Sequence, residues 1–220
     1  MSFILYLLFG FLELLSIFAL MTKAFRFPFL EYIKETMLVA VIATALSYFI
    51  RVYFGFFQGL DTIAQLILYI LFFRYFMKIK YWRALIVSLT YIGYVVLVLV
   101  VYGLYVSTGL IEEEVLNAPN SLSAYFIQFT SSSVAFLIAF LIYRLNLGFS
   151  FISVPPHDFL IKNKIKKHDI ILLTAILMTA IVIFIGLFLL LNDKAIASIP
   201  ILLVLYIILI YIAYRRDLTL

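Results

Sequence analysis

Long apolar runs separated by short polar stretches dominate the chain, and they predict helices at 3–22, 36–55, 60–77, 82–107, 123–145, 169–191 and 198–214. Each is close to the ~20 residues an α-helix needs to cross a bilayer. The runs are continuous, whereas a transmembrane barrel strand alternates apolar and polar residues, so helices are selected. Lipid offers no partner to a backbone N–H or C=O, and a helix satisfies its own ladder. The expected fold is therefore all-α: a polytopic membrane bundle of seven transmembrane helices forming a single domain over residues 1–220.

Polar residues inside these runs recur at helical spacing. Tyr6, Gly10 and Glu13 share a face of the first run, and Thr44, Ser47 and Arg51 share one on the second. Asp61, Gln65 and Tyr69 repeat the pattern on the third, as do Tyr125, Gln128 and Ser132 on the fifth. Unpaired polar groups in hydrocarbon are costly, so the stripes are expected to face one another and form a partly hydrated interior toward the outer half of the bundle. Glu13 lies roughly 15 Å deep at 1.5 Å per residue. Arg51 is the cation at comparable depth, with Asp61 as a competing partner across a short turn. The expectation is that Arg51 links Glu13 and Asp61, either as a buried network that specifies packing or as a centre that binds a ligand or moves between two arrangements. Glu13, Arg51, Asp61, Gln65 and Gln128 form that candidate centre. On the fifth run, Thr130, Ser131, Ser132 and Ser133 with Ala135 and Ala139 predict close approach of a neighbouring helix.

Composition agrees: the chain is 67% hydrophobic and 12% charged, against roughly a quarter charged in soluble domains. The absence of cysteine excludes disulfides, thiolate metal sites and a Cys nucleophile. The net charge of +5 matters through its placement. All Lys and Arg except Arg51 and Lys194 fall in the odd-numbered connections and the tail, the largest group being Arg144, Lys162, Lys164, Lys166 and Lys167. Positively charged loops stay cytoplasmic, so the N-terminus is expected outside, the C-terminus inside, and the protein in the plasma membrane. The excess charge is thus loop bias, with no nucleic-acid partner implied. The first run lacks a basic leader, carries Glu13 and is followed by Lys23, which reads as a retained helix and not a secretory signal. Pro155 and Pro156 interrupt a stretch expected along the inner interface. Lys162, Lys164, Lys166 and Lys167 then present a basic face to anionic lipid heads, at about 1 kcal/mol per charge, or to a cytoplasmic partner.

Candidate chemistry adds little. A nucleophile among Ser131, Ser132 and Ser133 needs a base, yet His157 and His168 fall in a cytoplasmic loop across the membrane. His157, Asp158, His168 and Asp169 match no common metal spacing, and no HExxH or Gly-rich phosphate loop is present. Neither catalysis, metal nor cofactor is expected. The connection at 109–123 carries Glu112, Glu113 and Glu114 and reads as a solvated outer loop. Its alternative reading is a recognition loop for a cationic or amphipathic ligand, with Tyr91, Tyr94, Tyr102 and Tyr105 lining the way in.

The segment Ala45-Leu46-Ser47-Tyr48-Phe49-Ile50-Arg51-Val52, the Gly-containing turn after it, Asp61 with Gln65, and the basic patch from Arg74 to Arg83 carry a resemblance. Together they resemble the polytopic N-terminal sensor region of Firmicutes histidine kinases with a GHKL-type ATPase, a class that includes peptide quorum-sensing receptors. The likeness centres on residues 40–105. It implies six or seven helices, a cytoplasmic C-terminus and response to an outer signal. The family's kinase continues beyond that point, whereas this sequence stops at Leu220 with neither phosphoacceptor histidine nor ATP-binding boxes, as a sensor fragment or a stand-alone relative would. The expected function is a membrane-embedded sensor or receptor-like module. Its partners would be the bilayer, an extracytoplasmic peptide or small ligand, a cytoplasmic signalling protein and a second copy. A small-molecule or ion carrier component and an assembly subunit of a membrane complex remain as alternatives; the lack of a visible internal repeat counts against inverted-repeat carriers.

Overall fold

The computed structural model describes residues 2–55, 58–111 and 121–150, together with 152, 170, 174, 200, 204, 207, 208 and 210–215. Apart from those last positions, the predicted helices at 169–191 and 198–214 lie outside the described residues. So do Glu112, Glu113 and Glu114, the basic run Lys162, Lys164, Lys166 and Lys167, both histidines and Lys194. Among the described residues all regular structure is helical: α1 (Ser2–Ala24), α2 (Ile33–Tyr48), α3 (Gln58–Tyr75), α4 (Tyr81–Ser88), α5 (Tyr91–Ser107) and α6 (Leu122–Leu145). A 3₁₀ turn at Phe29–Tyr32 leads into α2, and a π-helical turn at Phe49–Tyr53 extends it. Four helical stretches are long and apolar enough to cross a membrane: Phe3–Ala24, Phe29–Tyr53, Tyr81–Ser107 and Leu122–Leu145. α3 lies beside them, with Asp61 and Gln65 buried in its first half.

Two predicted helices differ in detail. The run 82–107 is broken at Leu89 and Thr90, where Thr90, Ile92 and Gly93 each donate their N–H to the carbonyl three residues back. The Thr90 hydroxyl also donates to the Val87 carbonyl. A threonine side chain that competes for its own helix's carbonyls favours such a local tightening. At the end of the second run, the Phe54 N–H bonds to Phe49 O, five residues back, which produces the π turn.

Ring and cap contacts fix relative direction. Phe9 of α1 stacks on Tyr125 of α6 at 5.2 Å, and toward the other end Lys23 lies 4.5 Å over the Tyr143 ring. The two helices therefore run parallel. α3 is parallel to them as well, because Phe18 meets Tyr69 and Phe72 while Phe27 meets Phe73. These rings, with Met21, Met77 and Ile79, form a fully buried core at that end. Lys23, Arg26, Arg74, Lys78, Lys80, Arg83 and Arg144 all gather there, whereas Arg51 stands toward the other end. Among the described residues, the segregation of charge along the chain is thus also a segregation in space.

Three of the helices heading for the basic end finish on a left-handed residue that is not glycine: Arg26 (φ 57°), Lys78 (φ 55°) and Asn146 (φ 54°). After each, an N–H reaches back to a carbonyl in the last turn, as Phe27 does to Thr22 and Leu147 to Ile142. This is how helix ends satisfy their orphan carbonyls. At its start α6 is capped by Ser121, whose Oγ accepts from the Ala124 N–H at 3.1 Å.

Candidate functional site

A hydrogen-bonded relay joins α1, α2 and α3 toward the end opposite the basic residues. Ser47 Oγ donates to Asp61 Oδ2 at 2.9 Å, and the Tyr6 hydroxyl lies 2.9 Å from Ser47 Oγ. Because the Ser47 proton is committed to the carboxylate, Tyr6 is the donor to Ser47. Arg51, carried on the π turn, places Nη1 4.0 Å from the same Asp61 oxygen. The other oxygen, Oδ1, is buried without a hydrogen-bond partner. One turn along α3, Gln65 is buried and its Oε1 accepts from the Tyr69 hydroxyl at 2.8 Å. Gly10 faces α2 so closely that a Cβ there would meet Thr44 Cγ2 at 2.8 Å.

Glu13 is placed differently from the expectation. Of its two expected partners, Arg51 is ion-paired with Asp61. Register explains this. Arg51 faces Asp61 across the short turn between α2 and α3, whereas Glu13 is two turns along α1 from Tyr6. Its carboxyl faces the Tyr94 hydroxyl of α5. Tyr94 in turn lies 3.1 Å from Ser131 Oγ, and Ser131 donates to the Ile127 carbonyl at 2.7 Å. The centre therefore has two lobes: Tyr6, Ser47, Arg51 and Asp61 on one side of α1, and Glu13, Tyr94 and the α6 stripe on the other. Gln128 and Ser132 belong to the second lobe: Gln128 Oε1 is buried without a partner, and Ser132 is buried beside the Tyr94 hydroxyl.

Ser131, Ser132, Ala135 and Ala139 are buried along the α6 face, as close packing requires, while Ser133 is exposed and returns its hydroxyl to Phe129 O at 2.8 Å. Of the four tyrosines on the α5 run, Tyr94 and Tyr102 are buried in the core, Tyr91 packs edge-on to Tyr69, and Tyr105 bonds Thr130 at 2.6 Å. Their contacts are with neighbouring helices. Tyr94 was not among the centre's expected members. The available signal was its position on the run facing two polar stripes, but an isolated aromatic in a membrane span equally fits an interfacial residue.

The basic end is tied as firmly. Arg26 donates through Nε to Gly148 O and through Nη2 to Asn146 O at 2.9 Å, and the Phe149 N–H donates to Ala24 O at 2.7 Å. The Arg74 guanidinium lies 4.3 Å over Tyr81, and Arg83 is buried with its guanidinium 4.9 Å from the Trp82 ring. Among the described residues no group of three or more His, Asp or Glu side chains is arranged to hold a metal. Comparison with protein-family models, with curated proteins and with solved structures found no match to this chain.

Proposed function

We propose that the chain is a sensor or receptor-like module of the plasma membrane, N-terminus outside, in which the relay of Tyr6, Ser47, Asp61 and Arg51 is the switching element. One observation carries this reading: an incompletely satisfied intramembrane ion pair is mounted on a π turn. Such turns relax into ordinary helix by shifting one residue, and they recur at functional sites. Loosening the pair would free the hairpin of α2 and α3 from α1. The caps that join the ends of α1 and α6 would hold those two helices together, so the two pairs would move against each other at the basic end, where a cytoplasmic partner would read the change. A carrier would need a polar path through both halves; here the half below Glu13 is filled by the buried rings of Phe18, Phe27, Phe72 and Phe73.

The test uses the full chain in nanodiscs with spin labels on Leu30→Cys and Leu145→Cys, two exposed positions at the basic end. Arg51→Gln should displace the distance distribution between the labels. Overlapping distributions together with an unchanged melting temperature would remove the switch, and saturable uptake of an ion into vesicles would favour the carrier.

A further inference from the structure

We propose that the turn joining α3 to α4 binds the headgroup of an anionic phospholipid, its phosphate held by Lys78, Lys80 and a phenolic proton of the Tyr75 and Tyr81 pair, with the Arg74 charge behind them. The sequence from Arg74 to Lys80 carries three cations, and between Asp61 and Glu112 it contains no carboxylate to offset them. The turn is held firmly. Met77 and Ile79 are fully buried, the Ile79 N–H donates to Phe73 O at 3.1 Å, and Arg74 Nη1 donates to Ile79 O at 3.2 Å. Lys78 therefore stands exposed between two buried neighbours, with Lys80 half-buried beyond them. The Lys78 backbone is left-handed (φ 55°), a conformation that glycine would hold without strain. On either side of the turn, the Tyr75 and Tyr81 hydroxyls lie 3.1 Å apart, and the Arg74 guanidinium lies 4.3 Å over the Tyr81 ring. One phenolic proton serves the bond between the two tyrosines, so the second is available to an acceptor outside the pair.

A phosphodiester offers one negative charge and acceptor oxygens, the complement of ammonium and phenol donors. The surface beside the turn selects a lipid over a soluble phosphate. Ile63, Ile67, Leu71 and Tyr75 are exposed at successive i+4 positions of α3, an apolar stripe that ends at the phenols. An acyl chain can lie along this stripe while its headgroup meets the turn. Because buried neighbours and backbone bonds already fix the turn, little ordering entropy is lost when the headgroup docks. The site lies at the basic end, apart from the Arg51 centre, and holds for either orientation of the chain.

Trp82, next to Tyr81, is the chain's one tryptophan, and its fluorescence reports on the turn. The full chain is placed in phosphatidylcholine nanodiscs that contain a fixed fraction of lipid brominated near the top of its chains, either phosphatidylglycerol or phosphatidylcholine. The brominated phosphatidylglycerol should quench Trp82 more strongly. Lys78→Gly should weaken that preference about fivefold, the effect of one cation beside an anionic headgroup. The same variant should melt no lower than the parent, because glycine suits the left-handed position. Lys80→Gln, which leaves the backbone alone, should weaken the preference likewise. Arg144→Gln is the control, since it removes an exposed cation at the same end but on α6, which packs against α1 and α5. That variant should leave the preference unchanged. Equal quenching by the two brominated lipids overturns the site. So do equal losses in Lys78→Gly and Arg144→Gln, the signature of diffuse surface charge, and so does displacement of the lipid by soluble glycerol phosphate.

Discussion

Arg26 holds a backbone conformation that costs an L-residue about 1–2 kcal/mol, and glycine would hold it at no such cost. What keeps arginine there is its side chain, which donates to the carbonyls of Asn146 and Gly148 and so staples the end of α1 to the end of α6. Asn146 has nearly the same φ, but its side chain makes no hydrogen bond seen among the described residues. The two positions should therefore respond oppositely to one substitution. Asn146→Gly is expected to leave the melting temperature unchanged or raise it, since it relieves left-handed strain at a helix cap. Arg26→Gly relieves similar strain but removes two charge-assisted bonds, for a net loss of about 1–3 kcal/mol. Thermal unfolding of both variants in the same nanodiscs checks this, and a matching rise for the two would mean that the staple contributes nothing. Gly148 completes the junction by close approach: a Cβ there would lie 2.6 Å from Lys23 O.

At the scale of helices, α1 meets α2 at Gly10 with no spare volume, because the Thr44 methyl occupies the space of a side chain. Gly10→Ala is expected to cost about 1–3 kcal/mol through overpacking. Thr44→Ser deletes that methyl and keeps the hydroxyl that donates to Ala40 O at 2.7 Å. It should restore most of the loss in the double variant, and a double-mutant cycle of melts with no coupling would show that the helices do not meet there. The polar stripes and the small-residue face were legible because period and composition record which side of a helix is buried. The small residue on α1 and the stripe on α2 were both visible; their contact was not, since it depends on the register of two separate helices. The same limit explains Glu13. Its depth could be read from the sequence, but whether it faced Arg51 or Tyr94 was decided by how α1 sits against α5 and α6. The π turn and the break at Thr90 escaped for another reason, since each alters the ladder by one hydrogen-bond step and leaves hydrophobic periodicity almost intact.

At the scale of the molecule, among the described residues, parallel α1, α3 and α6 collect Lys23, Arg26, Arg74, Lys78 and Arg144 at one end, with Arg51 toward the other. A helical bundle in lipid has no hydrophobic force to pull its helices together, so close small-residue faces and polar contacts must hold it, and both are found on α1, α2 and α6. The same segregation carries the orientation argument, because Lys and Arg in short loops resist translocation. Leu110, just beyond α5 and 71% exposed, belongs to the end away from the basic residues, and Leu147, just beyond α6 and 64% exposed, belongs to the basic end. The chain contains no cysteine, so a single one at either position is an unambiguous reporter. In intact cells a membrane-impermeant maleimide is expected to label Leu110→Cys and to spare Leu147→Cys; in inside-out vesicles the pattern should reverse. Labelling of Leu147→Cys from outside would invert the topology and place the Arg51 centre toward the cytoplasm.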